Sequence, residues 1–516
     1  MKYTGINIGP IIPTISMGRR PREIWAASYM FSFLMQCIIE KIKDVAGIEI
    51  ISPATLETDA KTGVGLYPDR IFVQGEFDTE KIINEALKQF ESLTGVSREY
   101  VNVMYATIEA NEGDKESPIK RLNQLLDTTE LCKRPTTEES RQSAIGLVTK
   151  GYESPLHVHA FGELEYHIPF LAEIATDRLS SINSQEWKAL CNDFREIKSE
   201  KEEASKGEDD FYNRLKGQLK DGVYGNDEKF FSYYKYICIV QADGDNMGKI
   251  VSAVSTDKVK AISKSLLNYG QEACKKIKAY GGLPIYAGGD DLLFIAPVRS
   301  TDKTIFELID EIDKLYKDEV DSKIEDDSRP DGLHTYLSYG LSITYYKYPL
   351  YEAFKNAIDL LFTKAKKVKE KNAISWQLRK HSGTGFVGEL TKAMPAGAGG
   401  KTPYSLLKEI STVMVDEKLI SAIAHKLKAN EALLEIMLNK FRNDRNEADL
   451  NGRIENFYKK FMEESDRDRY KALTRELLCR LMTEANSETK IATILENMYG
   501  ILRTAKFIKG EGDKDE

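Results

Sequence analysis

Two acidic clusters have the residue types and the setting for divalent-metal chemistry. Asp243 and Asp245, in Gln-Ala-Asp-Gly-Asp-Asn-Met-Gly-Lys, follow the β-rich apolar run Tyr236–Val240. Asp290 and Asp291, in Gly-Gly-Asp-Asp, separate two further apolar runs, Leu283–Ala287 and Leu292–Ala296, which read as a hairpin. Carboxylates brought close together repel unless a cation lies between them. Hard oxygen ligands suit Mg²⁺ or Mn²⁺, which take one or two carboxylates and fill the shell with substrate phosphates. Two such ions stabilise the attacking and leaving oxygens of an in-line phosphoryl displacement. Either acidic pair alone reads as an ordinary turn. Both together, each at the end of an apolar strand, favour a metal site built from Asp243, Asp290 and Asp291, with Asp245 a fourth candidate.

The neighbouring residues fit the same chemistry. Gly288 and Gly289 permit a tight hairpin turn and keep bulk away from a nucleotide. The stretch Gly244, Asp245, Asn246 and Gly248, ahead of a helix, offers backbone N–H groups to a triphosphate. Lys366 supplies a compact cation for the same phosphates.

To work, the two strand ends must be neighbours. After Asp245 a helical stripe runs through Val259, Ile262, Leu266, Ala273 and Ile277, and beyond the hairpin come a strand, Leu337–Tyr345, and a second stripe, Leu350–Val368. This order is close to the ferredoxin-like arrangement of an antiparallel sheet backed by helices. The N-terminal segment echoes it: strand Ile6–Ile8, the turn Gly9-Pro10, a long helix to about Ile42, and a strand near Ile48–Ser52. The expectation is an α+β fold of two ferredoxin-like domains plus helical domains. Residues 1–110 form the first such domain, without metal carboxylates, and 111–230 a mainly helical segment. Residues 231–380 form the catalytic domain, 381–402 a Gly-rich linker, and 403–516 a C-terminal helical domain. The charge runs Glu112–Ser117 and Lys198–Asp210 read as solvated loops.

Composition bounds the class. The chain has 516 residues, 41% hydrophobic and 30% charged, which excludes collagen-like or wholly disordered chains. Its 73 basic and 81 acidic residues give a net charge of −8, which excludes a generally basic nucleic-acid coat but not a local groove. Six cysteines without a C-x-x-C pair predict reduced thiols rather than disulfides or a zinc knuckle. The uncharged run Ile24–Ile39 is shorter than the about 20 residues of a membrane span, so a cytoplasmic protein with no membrane partner is expected.

The sequence Y-A-G-G-D-D-L-L-F, with Q-A-D-G-D-N-M-G-K upstream, resembles the catalytic palm of the large subunit of type III CRISPR effector complexes, a relative of the GGDEF nucleotide cyclases. Ile8–Tyr29 resembles the opening of the first palm in the type III-B (Cmr) branch. Ile168–Ala175 resembles a segment just before the second palm, and Ala365–Ile374 its closing helix and following strand. The resemblance implies a subunit, activated by guide RNA paired to target RNA, that joins ATP molecules into a signalling nucleotide. That product is a cyclic oligoadenylate or, with S-adenosylmethionine as cosubstrate, an AMP adduct. By position, Asp243, Asp290 and Asp291 would hold two Mg²⁺ or Mn²⁺ ions and Lys366 would contact phosphate. The first palm would receive the second nucleotide, helped by Arg19, Arg20 or Arg22. Other Cmr subunits, guide RNA and target RNA would be the partners.

Two departures from the family pattern are expected to matter. None of the six histidines precedes an Asp and the first palm starts at once, so no HD-type nuclease activity is expected. The four-cysteine zinc site that many members carry between the palms cannot be built. Two other readings stay open: a catalytically silent RNA-binding scaffold of the same complex, and a free-standing diguanylate cyclase. The cyclase would need GTP and a pair of identical palms, whereas this chain already contains two.

Several further signals read as structural. Gly383–Gly388 fits G-x-G-x-x-G and Gly400-Lys401-Thr402 the end of a P-loop, but neither has the flanking elements those motifs need. His157, His159 and His167 lack the spacing of a zinc site. Trp25 and Tyr29 read as core, and the lysines of Lys364–Lys371 as a solvated face.

Overall fold

The computed structural model describes residues 1–55, 61–111, 116–131, 136–162, 166–200, 204–226, 228–368, 371–392, 401–413, 417–461 and 468–510. The N-terminal part is built on a four-stranded antiparallel sheet of β1 (Lys2–Gly9), β2 (Glu49–Ser52), β3 (Arg70–Gln74) and β4 (Asn102–Glu109), in the order β2-β3-β1-β4. Helix Pro21–Lys43 connects β1 to β2, and Thr79–Thr94 connects β3 to β4. The first of these starts with Pro at its N-terminus, carries Glu23 in its first turn and Lys41 and Lys43 in its last, all matched to the helix dipole. It is apolar nearly all round because it is covered nearly all round, by Thr79–Thr94, by Glu138–Lys150 and by a strand of the second sheet. Trp25 and Tyr29 are core residues, and the Trp25 indole donates to Gly63 O at 2.8 Å.

The second sheet holds β5 (Tyr236–Gly244), β6 (Leu283–Gly288), β7 (Asp291–Pro297), β10 (Leu337–Tyr345), β11 (Ala373–Arg379) and β12 (Gly385–Thr391), in the order β12-β11-β10-β5-β7-β6. The two-residue strands β8 (Arg299–Ser300) and β9 (Lys303–Thr304) form a separate hairpin. Within the six-stranded sheet, β10-β5-β7-β6 repeats the strand order and antiparallel pairing of the N-terminal sheet, and β11 extends the sheet in parallel with β10.

Here one expectation is corrected. The Gly-rich stretch taken as a linker over 381–402 contributes β12, paired antiparallel to β11. Its period-2 pattern of buried Phe386, Gly388 and Leu390 is a strand signal that the high glycine content masks. Gly388 lies against the Trp376 ring, so the G-x-G-x-x-G run is a hairpin and not a phosphate loop. In the other motif Gly400 lies outside the described residues, Thr402 caps helix Pro403–Thr412, and Lys401 pairs with Glu409 at 2.5 Å.

The two sheets are joined edge to loop. Ala287 N donates to Gly65 O at 2.8 Å and Gly65 bridges to Tyr286, so the 63–67 loop covers the open edge of β6. Between the sheets the described residues are helical. Helix Pro118–Glu130 packs on the N-terminal sheet, Leu126 against Gly5, and so belongs with it rather than with the middle segment. Parts of both charge runs lie outside the described residues, although helices Ser184–Glu200 and Ala204–Lys220 reach into the second. The described cysteines, Cys37, Cys191, Cys238, Cys274 and Cys479, are buried free thiols, and Cys132 lies outside the described residues. Helices follow from Pro403 onward, the last of them, Ile491–Lys509, packing on β12. No helix of the described residues is long and apolar enough to cross a membrane.

Candidate active site

The register of the second sheet brings the acidic clusters together. Ala242 of β5 pairs with Leu292 of β7, so one step outward Asp243 stands opposite Asp291. Directly opposed residues of antiparallel strands have Cα atoms about 4.5–5.5 Å apart. On the other side Asp243 pairs with Ser338 of β10, placing it at the end of the central strand. The hairpin closes with Gly288 paired to Asp291 and with Gly289 at φ +66°, a conformation that favours glycine. Gly288 has a different reason: an added Cβ would meet the Tyr286 hydroxyl and come within 2.6 Å of its ring, so this glycine serves packing.

Asp290 lies across the end of β5, against Gly244. A Cβ there would sit 2.7 Å from Asp290 Cβ and 2.9 Å from the Tyr316 hydroxyl. Gly244→Ala is therefore expected to displace Asp290 and lower turnover on the order of 10²-fold. The accompanying loss of stability is expected to be about 1–3 kcal/mol, read by thermal melting beside product formation.

The electrostatics of this corner are strained. Burial, and then the Asp243 charge, push the Asp290 carboxyl up to about 7. Burial and the charges of Asp243 and Asp290 hold Asp291 well above the usual carboxylate range. Burial also raises Asp243, against the pull of Lys366. Lys366 sits on the turn Ala365–Lys367, just past the end of helix Leu350–Thr363, not inside that helix as the sequence suggests. Its ammonium donates to the Asp243 carboxylate and to Gly244 O at 2.8 Å, with Asp245 Oδ1 at 3.6 Å.

Asp245 is fully buried. Its Oδ2 accepts from Ser338 Oγ at 2.7 Å and from Asn372 N at 2.8 Å. It thus anchors the turn Lys371–Asn372, where both residues have positive φ, close to Lys366. Asn246, at φ 65°, donates from its amide to His334 O at 3.1 Å. Helix Met247–Ala253 then ends before a second begins at Thr256, so the expected single long helix is two. Beside Gly248 the space is open.

Among the described residues no three His, Cys, Asp or Glu side chains form a ready-made metal cage. The donors are nevertheless of the right kind for Mg²⁺ or Mn²⁺: all are carboxylate oxygens at adjoining strand ends, whose proton affinity is raised first by burial and then by neighbouring carboxylate charge. A cation that brings phosphate ligands with it needs only one or two of them.

The remaining candidates lie elsewhere. His167 pairs with Glu173 at 3.1 Å and His159 contacts the Tyr29 hydroxyl at 3.2 Å, while His157 lies 5.5 Å from the Trp25 ring. Arg19 and Arg20 are exposed in the loop entering helix Pro21–Lys43, and Arg20 is 3.8 Å from Glu23. One neighbour escaped the sequence reading. Pro68, next to Asp69 at the head of β3, lies 3.8 Å from where a Gly289 Cβ would stand. The Asp69 charge adds to the rise at Asp290 and Asp291.

Two families match the chain, in order. The family described as CRISPR-associated protein Cmr2, N-terminal, matches residues 3–91, and Cas10/Cmr2, second palm domain, matches residues 236–375. The CRISPR system Cmr subunit Cmr2 of Pyrococcus furiosus is 31% identical across an alignment covering 36% of this chain and 25% of that protein. The chain therefore spans about a quarter of the length of this relative. Among solved structures, the type III-B Cmr-beta complex bound to cognate target RNA contains a chain with a TM-score of 0.63 and 11% identity, covering 98% of this chain and 83% of that one. The apo state of Cmr-beta gives a TM-score of 0.60 at 11% identity, covering 98% and 82%. At that identity the likeness is one of fold.

Proposed function

Because the chain belongs to the Cas10/Cmr2 family, we propose that it is the nucleotidyltransferase subunit of a type III-B (Cmr) CRISPR effector complex. It joins ATP molecules into a signalling nucleotide when guide RNA pairs with target RNA. The observation that carries this reading is the meeting of Asp243, Asp290 and Asp291 at two adjoining strand ends, with Lys366 beside them.

Asp243, Asp290 and Asp291 would hold Mg²⁺ or Mn²⁺, which when bound neutralises charge on the transferring phosphate. Lys366 exchanges its contact with Asp243 for a phosphate oxygen, and Asp245 holds the neighbouring turn in place for that exchange. Gly244 leaves room for the Asp290 carboxyl, and Gly289 closes the turn that carries it. The 3′-hydroxyl of one nucleotide attacks the α-phosphorus of another. The O3′–Pα bond forms, the bond from Pα to pyrophosphate breaks, and the hydroxyl proton passes to water. Positioning and charge neutralisation supply the rate. The product is a cyclic oligoadenylate or an AMP adduct of S-adenosylmethionine. The partners are the other Cmr subunits, guide RNA and target RNA, a reading supported by likeness of fold to a target-RNA-bound Cmr complex.

The test is an assembled complex given target RNA, Mn²⁺ and ATP, with and without S-adenosylmethionine. RNA-dependent pyrophosphate release is expected, and mass spectrometry identifies the product. No release would leave the silent scaffold.

The raised carboxyls also predict how the metal-free chain responds to pH. A carboxyl whose affinity for protons is higher folded than unfolded stabilises the fold at low pH, and that contribution fades as pH rises through the folded value. For Asp290 the window runs from the ordinary carboxylate range to about 7. The residue as a whole keeps some exposure, and with solvent screening the difference between pH 5 and pH 8 is about 1–2 kcal/mol. Melting of metal-free protein is expected to drop across that interval, and Mn²⁺ added at pH 8 is expected to restore it.

A further inference from the structure

The two sheets share one plan, and their registers align residue for residue at the strand ends. In the second sheet Asp243 is the penultimate residue of β5 and stands opposite Asp291 at the start of β7. In the first, Ile8 is the penultimate residue of β1. The pair Asn7–Arg70 puts Ile8 opposite Asp69, and Ile8 N donates to Asp69 O at 3.0 Å. Asp69 therefore occupies in the first sheet the place that Asp291 occupies in the second, while Ile8 replaces Asp243.

Along β3, Arg70 and Phe72 face helix Pro118–Glu130: Arg70 bonds Asn123 at 2.9 Å, Asp127 at 2.7 Å and Glu130 at 2.6 Å, and Phe72 meets Gly5 beside Leu126. Asp69 stands in the bend just before β3, where its charge acts on Tyr286, Asp290 and Asp291 of the second domain and it also feels the charge of Glu130. Pro68 is 3.8 Å from the Gly289 Cβ position, and the strap from Gly65 to β6 fixes the approach. Among the described residues no other side chain hydrogen-bonds the Asp69 carboxylate, and its neighbour Arg70 is committed elsewhere.

We propose that Asp69 positions the acceptor nucleotide: its carboxylate accepts a hydrogen bond from a ribose hydroxyl and holds that sugar facing the Asp290–Asp291 tip. This rests on the function proposed above. With Ile8 in place of an acid, the first half-site lacks the second carboxylate of a metal site. A lone carboxylate beside other carboxylates repels phosphate and attracts a neutral donor. The part of an acceptor nucleotide that must lie near the tip is the sugar carrying the attacking hydroxyl. A hydroxyl donating to a carboxylate fits both demands.

The test is equilibrium binding of α,β-methylene-ATP, with Mn²⁺, to the full chain, repeated with its 2′-deoxy and 3′-deoxy counterparts. The wild type is expected to bind a nucleotide in each domain. Asp69→Ala should weaken one of the two by roughly 10- to 100-fold. That loss should vanish for the deoxy counterpart lacking the bonded hydroxyl. Asp290→Ala with Asp291→Ala should weaken the other nucleotide. Asp69→Asn, which keeps the shape and one acceptor oxygen, should lose less, and it carries the test if the alanine variant fails to fold. Unchanged affinities in Asp69→Ala, or equal losses with every sugar, would overturn the proposal while leaving the parent function standing. A wild type that binds no nucleotide in the second domain would instead overturn the parent function, and the role of Asp69 with it.

Discussion

Asp290→Ala combined with Asp291→Ala is expected to abolish nucleotide product, a loss on the order of 10³-fold or more, while the chain still folds and assembles with its partners. The separation of the two effects follows from the electrostatics. Both carboxyls are held above their ordinary range by burial and then by the Asp243 charge, so in metal-free protein they oppose the fold. Removing them relieves repulsion, and melting of the metal-free variant at pH 8 should match or exceed that of the wild type, as happens where function holds a site away from its stability optimum. Mn²⁺ should no longer raise that melting temperature. Pyrophosphate release, co-purification of guide RNA and melting with and without Mn²⁺ are the measurements. Unchanged turnover would remove these residues from the chemistry.

The acidic tip was legible because local sequence specifies it. Gly-Gly-Asp-Asp between two apolar runs determines a hairpin and the place of its carboxylates, and Tyr236–Val240 announces the strand that Asp243 ends. What lay beyond local pattern was hidden. Asp69 gave no sign because its partner Ile8 is apolar, and only the pairing of β1 with β3 reveals its equivalence to Asp291. The echo of strand, turn and helix was visible, but the register one strand further was not. β12 was hidden by its glycines, of which Gly388 serves close packing on Trp376 rather than flexibility. Asp245 looked like a fourth site carboxylate, yet it is fully buried and bonded to Ser338 and Asn372, residues far downstream in sequence. Nothing in Asp-Gly-Asp distinguishes an acid that faces a cleft from one that fastens a turn.

Lys366→Met is expected to lower turnover on the order of 10²-fold, the scale of losing one preorganised charge at a reacting group. Two losses combine in that figure. The phosphate loses its cation, and Asp243 loses the ammonium that opposes the upward pull of burial. With that ammonium gone, Asp243 binds its proton more tightly and competes less well for a divalent ion near neutral pH. The acid limb of the pH–rate profile should therefore move to higher pH, and more Mn²⁺ should be needed for half-maximal activity. Raising pH or Mn²⁺ should recover the second loss but not the first. Lys366→Arg is not expected to rescue fully, because a planar guanidinium cannot reach both the Asp243 carboxylate and Gly244 O in the geometry of a compact ammonium. Lys367→Met, at the exposed next position, is the control and should leave the profile in place. If Lys366→Met loses activity with no shift in pH or Mn²⁺ dependence, the lysine acts on phosphate alone, and its contact with Asp243 is a resting position without influence on the metal site.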